Sequence, residues 1–317
     1  MACYVVTGGA GFIGSHLVRR LVQEQHRLRV VDDLSSGCIP NMGDDARAVT
    51  FIKGSVCDAP LLERAFDGAD VVFHQAAVPS VQRSVQDPLA TNRANVQGTL
   101  QVLEAARKRG VRRVVYASSS SVYGDAAALP KSEDMCPAPA SPYAASKLGG
   151  ELYCRVYAEL FGVETVALRY FNVFGPRQDP ESQYAAVIPL FITALLGGRR
   201  PTVFGDGEQS RDFTYVDNVV DANLLAANAP VSPGLAVNIG CGVRVTLNEL
   251  LRLLGEILGV DAQADHAEER PGDVKHSQAD IALARKALGY EPRIGFEEGL
   301  RKTVEWYKEW SGGKASP

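Results

Sequence analysis

The sequence lacks the cysteine pairs, basic clusters and long apolar runs that mark several classes of protein. Its six cysteines include no CxxC pair and no metal-ligand spacing, so we expect no metal site and a reducing, cytoplasmic location. A net charge of −4 with scattered lysines and arginines indicates no nucleic-acid or membrane partner. No apolar run approaches the ~20 residues that span a membrane. We therefore expect a globular protein with a small-molecule ligand.

A glycine-rich run lies near the start of the chain, between an apolar tetrapeptide at 3–6 and apolar residues at helical spacing. It reads TGGAGFIG over residues 7–14, and at a strand-to-helix turn such a run indicates dinucleotide binding rather than an ordinary turn. Gly8 permits a tight turn, Gly11 lets the backbone approach a pyrophosphate, and Gly14 lets the helix pack closely. Phe12 and Ile13, where the helix begins, are candidate cofactor contacts.

A second apolar run ends in Asp32, 18 residues after Gly14. That offset is close to the roughly 20 residues at which an acidic residue binds the cofactor ribose. A carboxylate there accepts hydrogen bonds from the ribose and repels a 2′-phosphate, so the predicted cofactor is NAD rather than NADP. The alternative is that Asp32 and Asp33 begin an ordinary polar turn.

Two further positions could face the cofactor. Ala76 is a small residue just after the apolar run at 71–73, and in a parallel sheet ligands lie at the carboxyl ends of the strands. Asn95 is polar beside the apolar face of a helix predicted over 88–109, and a buried amide needs a partner. Each has a structural alternative: Ala76 in a close-packed turn, and Asn95 bonded to a neighbouring strand end.

Strands alternate with helices as far as residue 172, a pattern that predicts an α/β, Rossmann-type, doubly wound parallel sheet. Beyond it, turn-rich segments separate shorter elements. We predict an NAD-binding domain over residues 1–172 and a smaller C-terminal α/β domain over 173–317, which mainly binds the substrate. Segments of the second domain could return to the sheet.

The residue types for acid–base chemistry follow the predicted fifth strand. Four serines occupy 118–121, and Tyr143 and Lys147 lie on a helix that Pro142 can begin. Being four residues apart, Tyr143 and Lys147 share one helix face. An ammonium beside the phenol lowers the phenol pKa, so Tyr143 could act as a general base near neutral pH. A serine hydroxyl opposite could bind the same substrate oxygen, although each motif alone is weak evidence.

Together these motifs resemble those of one enzyme family. TGGAGFIG, SSSSVYG, YAASK and LRYFNVFG are similar to the extended short-chain dehydrogenase/reductase family over nearly the whole chain. QDPESQYAAVIP, GDGEQSRDFTYVDNV and RPGDVKHSQAD most resemble members that are nucleotide-sugar 4-epimerases, especially those acting on UDP-N-acetylhexosamines. The resemblance implies tightly held NAD as the cofactor and a UDP-sugar as the substrate.

The resemblance implies a reaction through a 4-keto sugar. Tyr143 takes the proton of the 4-hydroxyl, NAD⁺ takes the hydride of carbon 4, and the hydride returns to the other face once the sugar has turned. Lys147 supports Tyr143 and also contacts the cofactor. Tyr170 is expected near the nicotinamide and Val56 near the adenine.

The serine run also separates this chain from related enzymes. Ser119 matches the catalytic serine of the family, and Ser120 is its close alternative. Sugar-nucleotide 4,6-dehydratases carry Thr-Asp-Glu before the VYG motif, and decarboxylating relatives keep a Glu there. Residues 119–121 are all serine here, so the additional acid for dehydration is missing and epimerisation is favoured.

The resemblance also implies the substrate contacts. Arginines bind the UDP pyrophosphate, for which a planar guanidinium is suited, an aspartate holds the uridine ribose, and an aromatic ring stacks near the uracil. The matching residues are Arg211 and Arg270, Asp273 and Phe204, with Ser80, Asn172, Val187, Ser119 and Tyr143 toward the pyrophosphate and sugar. Surface salt bridges are the alternative for both arginines.

Ser277 bears on the choice of sugar. A bulky Tyr at the matching place restricts the sugar pocket in this family, whereas a small residue leaves room for an N-acetyl group. We therefore expect UDP-GlcNAc/UDP-GalNAc interconversion. UDP-glucose and UDP-galactose could also be accepted, because extra room does not strongly reject a smaller ligand.

Other functions stay open at this point. One is a UDP-glucuronate 4-epimerase or another nucleotide-sugar oxidoreductase, although a carboxylate substrate calls for a basic group near the sugar that the sequence does not reveal. Another is a non-catalytic NAD-binding regulator, which need not keep Ser119, Tyr143 and Lys147 together. Because the family commonly dimerises through two helices, here near 88–109 and 142–161, a homodimer is expected.

Overall fold

The computed structural model describes residues 2–125, 128–180, 186–230, 232–268 and 275–314. Longer strands form a central sheet, and shorter strands lie in the C-terminal half. In chain order the strands are β1 (Cys3–Thr7), β2 (Arg27–Asp32), β3 (Thr50–Lys53), β4 (Val71–His74), β5 (Arg113–Ser119), β6 (Glu164–Tyr170), β7 (Val173–Phe174), β8 (Thr202–Phe204), β9 (Ser210–Arg211), β10 (Thr214–Tyr215), β11 (Leu235–Ile239), β12 (Val245–Thr246) and β13 (Asp265–Ala267).

Helices connect most of these strands. The predicted helix over 88–109 is present, with a π-helical turn at Arg93–Gln97 between two α-helical parts. Short 3₁₀ segments span Ile39–Ala48 and Ser120–Tyr123. The α-helices are α1 (Phe12–Gln23), α2 (Ala59–Ala65), α3 (Val81–Gln86), α4 (Pro88–Asn92), α5 (Gly98–Arg109), α6 (Pro142–Phe161), α7 (Val187–Leu196), α8 (Val216–Asn228), α9 (Leu247–Leu258), α10 (Ala282–Leu288) and α11 (Phe296–Lys314).

The central sheet has the order β11-β6-β5-β4-β1-β2-β3, with every neighbouring pair parallel. The chain winds outward from β1 in both directions, so the prediction of a Rossmann-type, doubly wound sheet is confirmed. Strand β11 belongs to the C-terminal half of the chain and pairs with β6. The division into domains at residue 172 stays a prediction.

Both faces of the sheet are buried, which explains the nearly continuous apolar runs in its strands. Along β5, Val114 and Tyr116 pack toward α2, α5 and α6, whereas Val115 and Ala117 pack toward α1 and α8. Fully burying one such side chain contributes roughly 1.5–3 kcal/mol. The C-terminal half adds a third apolar cluster, in which α7, α9 and α11 pack against one another.

This topology brings the carboxyl ends of β1, β4, β5 and β6 to one edge of the sheet, where open α/β folds bind their ligands. The C-terminal half lies over that edge through residues 210–215 and 275–279. None of the helices in the described ranges is long and apolar enough to cross a membrane.

Candidate active site

The turn after β1, residues 7–14, forms a tight cradle of closely packed backbone. Gly8 has a φ of +72°, and a Cβ there would lie 2.6 Å from the backbone nitrogen of Ala76. A Cβ on Gly14 would overlap the carbonyl oxygen of Gly8, whereas one on Gly11 would meet only that oxygen, at 3.2 Å. Gly11 precedes α1 and makes no side-chain cap, so the first N–H groups of the helix are suited to a phosphate. These residues fit a dinucleotide pyrophosphate.

Asp32, at the end of β2, is hydrogen-bonded to this cradle. Its Oδ2 accepts a hydrogen bond from the Ala10 backbone nitrogen at 2.9 Å, and its Oδ1 accepts one from that of Leu34 at 2.8 Å. Burial raises the pKa of the carboxyl, and the two backbone N–H groups oppose that shift. Asp32 therefore stands beside the glycine-rich turn, where the ribose contact is predicted.

Three other predicted cofactor contacts have clear protein partners. Asn95 accepts a hydrogen bond from the backbone nitrogen of Val78 at 2.7 Å and donates to Ser146 at 3.0 Å, which ties the loop after β4 to α6. Ala76 packs directly on Gly8. Val56 is buried in the cluster around α2 and α5. Their contacts with a cofactor stay predictions.

A cavity of about 540 Å³ opens at the carboxyl ends of β5 and β6. The structure brings together in its lining ten of the predicted residues: Phe12, Ile13, Ser80, Ser119, Ser120, Tyr143, Tyr170, Asn172, Arg211 and Ser277. Val187, at the start of α7, and Phe204, at the end of β8, do not line it. The predicted contacts Arg270 and Asp273 lie outside the described residues.

The Ser119 hydroxyl lies beside the Tyr143 phenol at the wall of this cavity, close enough to oppose the rise in the phenol pKa. Ser119 also accepts a hydrogen bond from the Ser121 backbone nitrogen at 3.2 Å. Behind them, the buried Nζ of Lys147 donates to the carbonyl oxygen of Ala117 at 2.8 Å and lies 5.9 Å from the centre of the Tyr143 ring. A phenol, a hydroxyl and an ammonium are thus held together by α6 and the end of β5.

The acidity of Tyr143 differs from the sequence expectation. Burial raises the pKa of Tyr143, and the Ser119 hydroxyl only partly offsets this. The predicted net lowering of the Tyr143 pKa is therefore wrong for the protein alone, because burial of the phenol outweighs the effects that favour the phenolate, and the ammonium of Lys147 bonds to Ala117 rather than to the phenol. Burial also lowers the pKa of Lys147 to about 8, against the nearby Glu151 carboxylate, which raises it. A cationic nicotinamide would supply further positive charge that favours the phenolate.

On the substrate side, two halves of the chain meet at Asn172. This residue has a φ of +30°, and its Nδ2 donates to Ser277 Oγ at 3.1 Å and to the carbonyl of Asp212 at 3.3 Å. The guanidinium of Arg211 donates to the carbonyl of Lys275 at 3.0 Å. Tyr170 accepts a hydrogen bond from Asn223 at 2.8 Å. Ser277 and Arg211 are thereby fixed around the cavity.

Sequence reasoning missed two charged residues at this site. Lys131 lines the cavity and is 2% exposed, and nothing in its sequence context distinguishes it from a surface lysine. Glu151 is buried close to Lys147. Its signal was its position four residues after Lys147, which places it on the same helix face. No cluster of three metal-ligating side chains occurs within the described parts of the chain.

Comparison with known proteins matches residues 4–240 to the NAD dependent epimerase/dehydratase family. A UDP-glucose 4-epimerase of Mycolicibacterium smegmatis is 42% identical, over 97% of this chain and 99% of its own length. The solved UDP-N-acetylglucosamine 4-epimerase of Methanobrevibacter ruminantium, in complex with UDP-N-acetylmuramic acid, is also 42% identical, with a TM-score of 0.94 over 98% of this chain and 99% of that one. A UDP-glucose 4-epimerase of Thermotoga maritima with UDP-glucose is 40% identical, with a TM-score of 0.93 over 98% and 99%.

The chain belongs to the NAD dependent epimerase/dehydratase family, as the resemblance in its motifs predicted. It is an enzyme that uses NAD, and its class is isomerase, of the nucleotide-sugar 4-epimerase type. The glycine cradle and Asp32 fit that cofactor.

Replacing Asp32 tests the predicted ribose contact. We expect Asp32→Asn to weaken NAD⁺ binding about 10- to 100-fold, because a hydrogen bond to a charged group is worth roughly 1.5–3 kcal/mol. Calorimetric titration of NAD⁺ into the apo-protein measures this. The control is Asp33→Asn, because the exposed Asp33 accepts a local hydrogen bond from the backbone nitrogen of Ser35. Equal affinity in both variants would contradict the assignment.

Proposed function

We propose that the chain interconverts the 4-epimers of a UDP-sugar, with UDP-GlcNAc and UDP-GalNAc as the preferred pair and UDP-glucose and UDP-galactose also accepted. The observation that carries this proposal is the Tyr143 phenol beside the Ser119 hydroxyl at the cavity wall, with the buried Lys147 behind them. Bound NAD⁺ supplies the acceptor for the hydride of carbon 4.

The chain's own residues then bind and move the proton of the 4-hydroxyl. Ionised Tyr143 accepts that proton, and Ser119 donates a hydrogen bond to the same oxygen. Protonated Lys147 favours the phenolate through its positive charge. When the sugar returns to the alcohol, Tyr143 gives the proton back, so the enzyme ends the cycle unchanged.

The composition of the cavity favours epimerisation over dehydration. Its described lining contains serine, glutamine, asparagine, tyrosine, lysine and arginine side chains, but no aspartate or glutamate. Elimination of water from a keto sugar calls for an additional acid and base near carbons 5 and 6. Without a carboxylate at residues 118–121, the proton chemistry is confined to Tyr143 and its neighbours.

The cations of the cavity support a nucleoside diphosphate. Arg211 lines it, and a guanidinium pairs well with phosphate oxygens. Ser80, at the start of α3, lies in the same lining. The roles of Arg270 and Asp273, and those of Phe204 and Val187 at the uridine end, stay part of the proposal.

The small Ser277 supports an N-acetylated sugar. Its hydroxyl is held by Asn172, and a serine there leaves cavity volume that a larger side chain would fill. The similar UDP-N-acetylglucosamine 4-epimerase of Methanobrevibacter ruminantium agrees with this preference.

Lys131 favours a second candidate substrate, a UDP-hexuronic acid. The sequence alone revealed no basic group for a carboxylate on the sugar. Lys131 lines the cavity from the opposite half of the chain to Arg211 and is almost completely buried. A buried ammonium attracts an anionic sugar more strongly than a neutral one.

NMR of the purified protein with UDP-GlcNAc, UDP-glucose and UDP-glucuronate, each in a separate sample with NAD⁺, tests these alternatives. We expect the 4-epimer of UDP-GlcNAc to form fastest, and Tyr143→Phe to lower the rate about 10²- to 10⁴-fold, the usual contribution of a general base. Tyr153→Phe, a half-exposed tyrosine of the same helix, is the control. Unchanged turnover in Tyr143→Phe would point to another base, and conversion of UDP-glucuronate alone would favour the second candidate.

Enlarging Ser277 tests the choice of sugar. We expect Ser277→Tyr to lower kcat/KM for UDP-GlcNAc at least about tenfold relative to UDP-glucose, since overpacking costs about 1–3 kcal/mol. Ser277→Ala loses the hydrogen bond from Asn172 but keeps the space, so its ratio should match the wild type. A ratio that does not change in Ser277→Tyr would remove Ser277 from the specificity argument.

We also propose that the enzyme is a homodimer. Leu152, Val156 and Leu160 repeat every four residues along α6 and are 57%, 41% and 72% exposed. Val85 and Leu89 are exposed on the neighbouring α3 and α4. An apolar stripe of this kind is typical of a face that packs on a partner, and a second copy of the chain offers the same stripe about a two-fold axis.

Introducing a charge into this stripe tests the dimer. We expect the wild type to elute as a dimer in size-exclusion chromatography with light scattering, and Leu160→Arg to shift it to a monomer, since a buried unpaired charge is costly. Val260→Arg replaces another exposed apolar side chain, one that lies outside α6. This control should leave the mass of the dimer in solution unchanged. A monomeric wild type would refute the proposal.

A further inference from the structure

The face of α6 that carries Tyr143 and Lys147, here called the catalytic face, also carries a third polar side chain, Glu151. Tyr143, Lys147 and Glu151 recur every four residues and so project from one side of the helix, which packs on β5. At the end of β5, residues 117–119 meet these three side chains one by one. The contacts are Ser119 with the Tyr143 hydroxyl, Ala117 O with Lys147 Nζ at 2.8 Å, and Ser118 Oγ with Glu151 Oε1.

Glu151 is fixed from its other side by Arg169 of β6. The Arg169 Nε and Nη2 donate to the two carboxylate oxygens at 3.0 and 2.8 Å. Glu151 and Arg169 are only 7% and 5% exposed. Arg169 is itself held, since its Nη1 donates to the Tyr123 hydroxyl at 2.8 Å and its guanidinium lies 4.9 Å from the Tyr123 ring centre. A two-point contact of this kind leaves the carboxylate little freedom.

We propose that Glu151 is a positioning residue of the active site: by binding Ser118 and Arg169 it locks the catalytic face of α6 in register with the end of β5 and keeps a negative charge behind Lys147. The inference rests on the proposed function, in which Tyr143 is the base. Glu151 does not line the cavity and acts through Lys147 and Ser118.

Glu151 also acts on Lys147 electrostatically. Burial alone lowers the pKa of Lys147, and Glu151 opposes this shift. Besides Tyr143, the titratable groups of the described residues near Lys147 include His74 on β4, Tyr116 on β5 and Cys154 on α6. Burial lowers the pKa of His74 to about 3 and raises those of Tyr116 and Cys154, so these groups are neutral at pH 7. Glu151, which also pairs with the cationic Arg169 of β6, is the carboxylate that raises the Lys147 pKa.

A purely structural role for Glu151 is the alternative, because removing one partner of a buried ion pair is destabilising in itself. The same two strands supply a control pair. At their other ends, the buried Arg113 of β5 pairs with the partly exposed Glu164 of β6 at 2.7 Å. Glu164→Gln therefore also breaks an Arg–Glu pair between β5 and β6, but far from Lys147.

The test is the pH dependence of kcat and kcat/KM of the NAD-loaded enzyme, with UDP-sugar turnover by the wild type established first. We expect Glu151→Gln to lower kcat about tenfold at pH 7 and to move the acidic limb of the profile up by about one pH unit, because a less protonated Lys147 makes Tyr143 harder to ionise. The KM should change less than about threefold, because Glu151 lies outside the cavity and does not contact the substrate. This change is small compared with the effect on kcat.

Conservative variants separate charge from position. Glu151→Asp keeps the charge, so its acidic limb should stay near that of the wild type although its rate falls. Ser118→Ala keeps the ion pair and is the variant to use if Glu151→Gln does not fold; we expect a lower kcat at unchanged unfolding temperature. A Glu151→Gln profile superimposable on those of the wild type and of Glu164→Gln would overturn the proposal, as would full activity in Ser118→Ala. A wild type without turnover would instead refute the proposed function.

Discussion

The register between α6 and β5 is the constraint on which the rest of the site depends. A helix presents one side chain every four residues to its neighbour, whereas the end of a strand offers every residue through either its side chain or its backbone. Here residues 117–119 contact α6 through two side chains and one backbone carbonyl. A shift of α6 by one turn would therefore break the contacts of Tyr143, Lys147 and Glu151 together. The ammonium of Lys147 is buried and bonded to a strand carbonyl. These contacts therefore hold the catalytic face in place, because a buried charge that loses its partner is strongly destabilising.

The cofactor cradle and the substrate cavity are assembled by different parts of the chain over the same sheet edge. The turn after β1 is shaped by Gly8 and Gly14, where a side chain would collide with the backbone. The opposite wall comes from the C-terminal half, where Ser277 accepts a hydrogen bond from Asn172 and the buried Asp212 accepts hydrogen bonds from three backbone N–H groups. Because β11 pairs with β6, that half is tied to the sheet that carries the catalytic residues.

The features that depend on local sequence motifs, the fold and the cofactor, could be predicted from the sequence. The features that depend on long-range packing could not. Alternating strands and helices and the TGGAGFIG turn defined the Rossmann-type sheet and its cofactor, because both depend on neighbours in sequence. Lys131 reaches the cavity through contacts with residues 278–280, a pairing that no local pattern announces. The direction of the Tyr143 pKa was mispredicted because spacing shows that Lys147 shares its helix face, but not that the phenol is buried. Residues such as Glu151 are visible in the spacing only once the catalytic face is known.

We infer that this helix face, together with NAD⁺, makes Tyr143 a base at physiological pH. The most direct measurement is the ionisation of Tyr143 in the NAD⁺ complex, followed by tyrosinate absorbance against pH and corrected with Tyr143→Phe as the reference. We expect a Tyr143 pKa below the ordinary value of about 10 in the complex, and a higher one in the protein without NAD⁺, where burial dominates. A Tyr143 that stays protonated above pH 10 in the NAD⁺ complex would contradict it.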